Sequence, residues 1–129
     1  MSIELTLLVW STALFGLYVG AQATLYRMQH GVLHAATARD SEAPPNVMTG
    51  RAERALRNLI ETYGVFVALA VAIEISGRSD ALTVWGAQLY FWARIVYLPL
   101  YLSGVQFVRS LVWCVSALGL MLMFVGILF

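Results

Sequence analysis

Arg51, Arg54, Asn58 and Glu61 follow one another at spacings of three, four and three residues. On a helix these intervals keep all four within about 80° of one face, as a single polar ladder. Tyr90, Arg94, Tyr97 and Tyr101, spaced four, three and four, form a second ladder of the same kind. Guanidinium groups bind carboxylates in bidentate fashion, so two such ladders facing each other would line a cleft suited to an anionic ligand. Asn58 adds an amide donor and acceptor, while Tyr97 and Tyr101 add flat apolar faces tipped by a hydroxyl. A small peptide-like diacid meets that inventory, and Arg109 would stand at the mouth of the cleft.

The elements that must carry these ladders are set by composition. Of 129 residues, 60% are hydrophobic and only 12% charged, about half the charge of an ordinary soluble domain. Leu5 to Tyr26 and Ser110 to Phe129 contain no Asp, Glu, Arg or Lys. Each run is long enough to cross about 30 Å of hydrocarbon at ~1.5 Å per residue. The chain therefore reads as an all-α integral membrane protein. Four spans are expected, over about 3–29, 50–76, 81–102 and 107–129, forming one membrane domain over residues 1–129. Asp40, Ser41, Glu42, Pro44, Pro45 and Asn46 mark residues 30–49 as a loop, and Gly77 to Asp80 and Ser103-Gly104 supply short turns. Short connections make consecutive helices antiparallel neighbours, which predicts an up-down four-helix transmembrane bundle. Ala21-Gln22-Ala23 resembles a signal cleavage site, but no basic segment precedes it and the apolar run is too long, so the first span reads as retained.

Six arginines near span ends, Arg27, Arg39, Arg51, Arg54, Arg57 and Arg109, fall on one side, against Arg78 on the other. The positive-inside rule puts the six in the cytoplasm, both termini opposite, and the cleft open to the cytoplasm. In a bacterial cell this would be the inner membrane. Glu61 and Arg94 break the apolar rule within their spans, each ten residues from a cytoplasmic end, and so about 15 Å deep. Opposite charges at one depth on adjacent helices predict a Glu61 to Arg94 contact.

Other chemistry is excluded or set aside. With a net charge of +1 and eight dispersed arginines, the chain offers no nucleic-acid groove. The absence of lysine rules out a P-loop and a Schiff base. His30 and His34 lack further ligands and read as interfacial polar residues, not a metal site. The lone cysteine, Cys114, reads as a small hydrophobe packed in an apolar helix rather than a nucleophile. Gly16 and Gly20, four apart, invite close helix approach, and Glu74 is expected to meet water or Arg78.

At the residues of both ladders the sequence resembles the MAPEG family, membrane-associated proteins in eicosanoid and glutathione metabolism, which includes microsomal glutathione transferases. Arg51, Arg54, Asn58 and Glu61 match the arginine, arginine, asparagine, glutamate pattern of the family's second helix. Arg94, Tyr97 and Tyr101 match its third, and Arg109, Ser110 and Trp113 open the fourth. The likeness extends over all four spans, and the chain is most similar to bacterial-type members. It implies a homotrimer that binds glutathione between subunits near the cytoplasmic membrane face, with a lipophilic second substrate arriving from the bilayer. Arg51, Arg54, Asn58, Glu61, Arg94, Tyr97 and Tyr101 would then hold glutathione, with Arg27 reaching a neighbour's site. Arg109, with Ser110 beside it, would stabilise the thiolate, which attacks an electrophilic carbon or a peroxide oxygen without a metal.

Two other readings follow from the residues. A non-enzymatic membrane subunit could use the polar cleft for packing or for a lipid headgroup. A proton-coupled drug transporter also has four spans, but the first span here lacks the embedded carboxylate such exchange uses.

Overall fold

A computed structural model describes residues 1–129 as five helices and no strand. Helix α1 (Ile3–His30) is capped by Ser2, whose Oγ accepts from the Leu5 amide at 3.1 Å, and ends at Gly31 with φ 90°. A four-residue helix, α2 (Val32–Ala35), interrupts the stretch expected to be loop throughout. Helix α3 (Val47–Ser76) starts a few residues earlier than expected because the Asn46 side chain accepts from the Thr49 amide at 2.9 Å. Asp80 and Thr83 form a reciprocal capping box at the start of α4 (Ala81–Ser103), and α5 (Phe107–Leu128) completes the chain. Gly77 and Gly104 end α3 and α4 in the left-handed conformation that a residue without Cβ adopts freely.

Three of the helices, α1, α3 and α5, are long and apolar enough to cross a membrane. Helix α4 has 23 residues, but Gln88, Arg94, Pro99 and three tyrosines are spread along it and leave no apolar stretch as long as those of the other three. Each long helix lies antiparallel to its successor. The end of α1 meets the start of α3, where Thr49 Oγ1 donates to the Leu25 carbonyl at 3.1 Å. Start and end of α3 and α4 are crossed by Arg51 bonding the Leu102 carbonyl. Gly86 and Gly119 bring α4 and α5 into backbone contact.

The core runs along the centre of this packing, through Tyr18, Ala55, Leu59, Phe66, Ala70, Ile73, Ala87, Tyr90 and Met123, all buried. Outward faces carry exposed Trp10, Leu17, Trp85, Leu111 and Met121, as a surface facing hydrocarbon does. Gly16 and Gly20, by contrast, have nothing within 4 Å of a built Cβ, so the close approach within the chain lies elsewhere, at Gly86 and Gly119.

At the N-terminal end of α1, Glu4 is fully buried. Its carboxylate accepts from Ser79 Oγ at 2.9 Å and from Thr83 Oγ1, tying α1 to the turn between α3 and α4. Glu74 accepts from the Ser2 amide at 2.8 Å, and that backbone donor takes the place of the expected Arg78.

Candidate functional site

Arg94 projects from α4 into the packing between α3 and α4 and is fully buried. Its Nη1 donates to Asn58 Oδ1 at 2.6 Å and its Nη2 to Thr62 Oγ1 at 3.0 Å. The guanidinium carbon lies 5.0 Å from the centre of the Tyr97 ring and 5.5 Å from that of Tyr90, within cation–π range. Its Nε has no hydrogen-bond partner. The backbone beneath is held as well, since buried Tyr18 on α1 donates its hydroxyl to the Arg94 carbonyl at 2.6 Å.

The expected Glu61 to Arg94 contact is not formed. Glu61 is exposed, and the guanidinium is met by Asn58 and Thr62 instead. The reason is helical rotation. At ~100° per residue, Asn58 and Thr62 straddle the direction facing α4, whereas Glu61 points about 80° away from their midline. Thr62 fell outside the polar ladder read from the sequence, although its position four residues after Asn58 carries the signal.

One turn and more toward the loop end of the helices, the side chains open into a cleft of about 290 Å³. Its wall comprises Arg54 and Asn58 from α3, Tyr97 and Tyr101 from α4, and Arg109, Ser110, Trp113 and Cys114 from α5. Tyr101 is its hub. Arg54 Nε donates to the Tyr101 hydroxyl at 3.2 Å, while the Arg109 guanidinium carbon stands 4.4 Å over the Tyr101 ring. The Tyr97 and Tyr101 rings lie 5.6 Å apart, with Arg94 behind Tyr97. Three guanidiniums thus surround two phenols, and no carboxylate accepts from any of them. An uncancelled positive charge in a partly desolvated cleft attracts an anion strongly, because the low local dielectric strengthens the interaction.

Arg51, Arg27 and Glu61 lie outside this cleft. Arg51 Nη1 donates to the Leu102 carbonyl at 3.0 Å, and its guanidinium packs against Gly104, bracing the C-terminal end of α4. Arg27 is exposed in the last turn of α1. Glu61 is exposed on α3, away from α4. Ser110 lies on the cleft wall, and its hydroxyl bonds the Gln106 carbonyl at 3.4 Å within its own helix.

Cys114 differs from its expected place. The apolar sequence around it suggested burial, but its side chain is exposed and lines the polar cleft one turn beyond Ser110. Four-residue spacing from Ser110 was the available signal. His30 and His34 stack at 5.1 Å, with the Tyr26 ring 4.4 Å from His30. Beside the cleft toward the other end of α4, an apolar groove of about 530 Å³ is lined by Trp85, Leu89, Trp92, Ala93 and Val115, with Gln88 bonded to the Trp92 indole.

Among known proteins, the model of the MAPEG family matches residues 5–129. No curated protein and no solved structure matches the chain.

Proposed function

Because the chain belongs to the MAPEG family, we propose that it is a glutathione-dependent membrane transferase or peroxidase acting on lipophilic electrophiles or hydroperoxides. The observation that carries this reading is the convergence of Arg54 and Arg109 on Tyr101, in a cleft where neither has a carboxylate partner. A tripeptide with two carboxylates and a thiol supplies what those groups lack. Arg54 and Asn58 bind its backbone and carboxylates, Tyr97 and Tyr101 pack against it, and Arg94 holds Asn58 and Tyr97 in place.

Arg109 stabilises the thiolate. A thiol that ionises at ~8.5 in water is mostly protonated near neutrality, and a guanidinium beside the sulfur raises the thiolate fraction. The thiolate then forms a bond to an electrophilic carbon and expels a leaving group, or attacks a peroxide oxygen and breaks the O–O bond. Ser110 adds a hydroxyl beside it. No metal is needed for either step.

In this reading the four long helices all cross the bilayer as one domain, with both termini outside the cytoplasm and the cleft facing it. Three copies assemble, so that exposed Glu61 and Arg27, and the free edge of Arg51, complete the glutathione site across subunit boundaries. The lipophilic substrate approaches from the bilayer along the apolar groove beside Trp92.

The test is the ultraviolet absorbance of thiolate as glutathione is titrated into detergent-solubilised protein near neutral pH. A saturating signal that disappears in Arg109→Ala is the expected result. Absence of the signal in the native protein would overturn the reading and leave the cleft as a binding or packing feature of a non-enzymatic subunit.

A further inference from the structure

Tyr18 belongs to neither polar ladder and takes no part in the function proposed above. It is nevertheless fully buried, and its hydroxyl donates to the Arg94 carbonyl at 2.6 Å. A buried phenol needs a hydrogen-bond partner. This one has found it in the backbone of a helix, whose carbonyls are ordinarily served by the amide four residues on. Pro99 sets this turn of α4 apart. Proline carries no N–H, so the Ile95 carbonyl loses its intrahelical donor, and the pyrrolidine ring crowds that same carbonyl. Tyr18 thus adds a bond from outside the helix, one residue away from the place where α4 lacks one.

Two holds meet at Arg94. Its backbone is held from α1 by Tyr18, and its guanidinium is held from α3 by Asn58 and Thr62. Beyond this residue α4 carries Tyr97 and Tyr101 to the cleft, across the turn that Pro99 weakens. The rest of the seam between α1 and α4 is loosely tied. Its one other hydrogen bond joins Thr83 to Glu4 at the opposite end. An apolar groove of about 400 Å³, with Leu14, Leu17, Ile95 and Pro99 in its wall, runs along the seam.

We propose that Tyr18 is a positioning residue for the glutathione site, an inference that rests on the reading above. By pinning the Arg94 carbonyl beside the turn that Pro99 weakens, it fixes the rotation of α4 at which Tyr97 and Tyr101 face the cleft. The demand on rotation is tight. At the outer radius of a helix, about 5–6 Å, a turn of ~20° shifts a side-chain tip by ~2 Å. The 3.2 Å bond from Arg54 to the Tyr101 hydroxyl does not survive such a shift. Arg109, by contrast, is carried by α5, whose backbone contact with α4 at Gly86 and Gly119 lies on the far side of Arg94 from the weakened turn. Loss of the Tyr18 hydroxyl therefore weakens glutathione binding and spares thiolate formation once glutathione is bound.

The experiment titrates glutathione into the full-length protein in detergent near neutral pH and reads the thiolate absorbance. Native protein is compared with Tyr18→Phe, Pro99→Ala and the double variant. In Tyr18→Phe the half-saturating glutathione concentration is expected to rise about tenfold, with the plateau unchanged. Pro99→Ala returns a donor to the Ile95 carbonyl and makes the bonding of α4 continuous, so the double variant is expected to lie within about twofold of native. A tyrosine that only fills space predicts no such rescue. Half-saturation that stays native in Tyr18→Phe, or that rises equally in Tyr18→Phe and the double variant, overturns the positioning role and leaves the glutathione reading standing. If Tyr18→Phe alone does not fold, the double variant is compared with Pro99→Ala, where agreement within about twofold supports the role and a wider gap overturns it. If native protein gives no thiolate absorbance, both readings fall together.

Discussion

Asn58 Oδ1 accepts a 2.6 Å hydrogen bond from Arg94 Nη1, so that a neutral amide rather than a carboxylate meets the buried guanidinium. The choice of amide leaves the charge of Arg94 uncancelled. Asn58→Asp would replace it with a carboxylate of the same shape and convert the contact to a charge-assisted pair. The fold is expected to keep its melting temperature or gain slightly, while glutathione binds at least about tenfold more weakly, a difference of ~1.4 kcal/mol. Calorimetric titration beside a thermal melt separates the two effects. Undiminished affinity in Asn58→Asp would show that the cleft's charge does not drive binding.

Arg51 and Arg54 sit three residues apart but are expected to fail differently when removed. Arg51 braces the Leu102 carbonyl at the end of α4, so Arg51→Ala loses a charged hydrogen bond, worth about 1.5–3 kcal/mol of stability. Arg54 is exposed and its one hydrogen bond is to the Tyr101 phenol, so Arg54→Ala is expected to melt with the native protein while raising the glutathione KM. Parallel melts and KM values for the two variants check the split. Equal loss of stability in both would remove the distinction.

Gly86 and Gly119 bring α4 against α5 so closely that a Cβ on either would stand 2.5 Å from the other's carbonyl oxygen. Both obstacles are backbone, which cannot rotate aside. Gly86→Ala must push the helices apart, at a cost of about 1–3 kcal/mol. It would also move Arg109 and Cys114 on α5 away from Tyr97 and Tyr101 on α4. A lowered melting temperature together with a weakened thiolate absorbance is the expected pair of results. Gly16→Ala, with open space around its Cβ, serves as the control within the chain.

How far the sequence could be read depended on whether a feature is local to one helix. The caps at Asn46 and Asp80 and the stops at Gly77 and Gly104 are local, and the helix limits follow them closely. The ladders on α3 and α4 are local too, and Arg54, Asn58, Tyr97 and Tyr101 line one cleft together with Arg109 of α5. Which way each stripe turns toward its neighbour is a property of packing. A rotation of about 80° is enough to replace Glu61 by Thr62 as the partner of Arg94, and periodicity on a single helix cannot register it. The same limit applies to the glycines. A four-residue spacing made Gly16 and Gly20 conspicuous, whereas Gly86 and Gly119, on different helices, share no local pattern. The place of Cys114 is not legible in its neighbours, because an apolar run suits lipid, cleft wall and core alike.

Glu4 offers the last prediction, and its case also rests on partners remote in sequence. It lies just outside the charge-free run of the first helix and would pass for an ordinary solvated carboxylate in a first turn, where the helix dipole favours it. Instead it is fully buried, with hydrogen bonds from Ser79 in the turn and Thr83 in α4. Thr83 in turn closes the capping box of α4 through the Asp80 amide. Glu4 is thus the point at which α1, the turn and α4 are joined. Glu4→Ala would remove the acceptor of the exposed Ser79 hydroxyl and of the buried Thr83 hydroxyl and free the start of α1, and is expected to cost about 1–3 kcal/mol. Glu4→Gln keeps the shape and one good acceptor, so less than half that loss is expected. Thermal melts of both variants in detergent provide the check, with the Ser79→Ala variant of Glu4→Ala as the cycle partner. If Glu4→Ala melts with the native protein, the carboxylate is solvated after all and does not hold the three elements together.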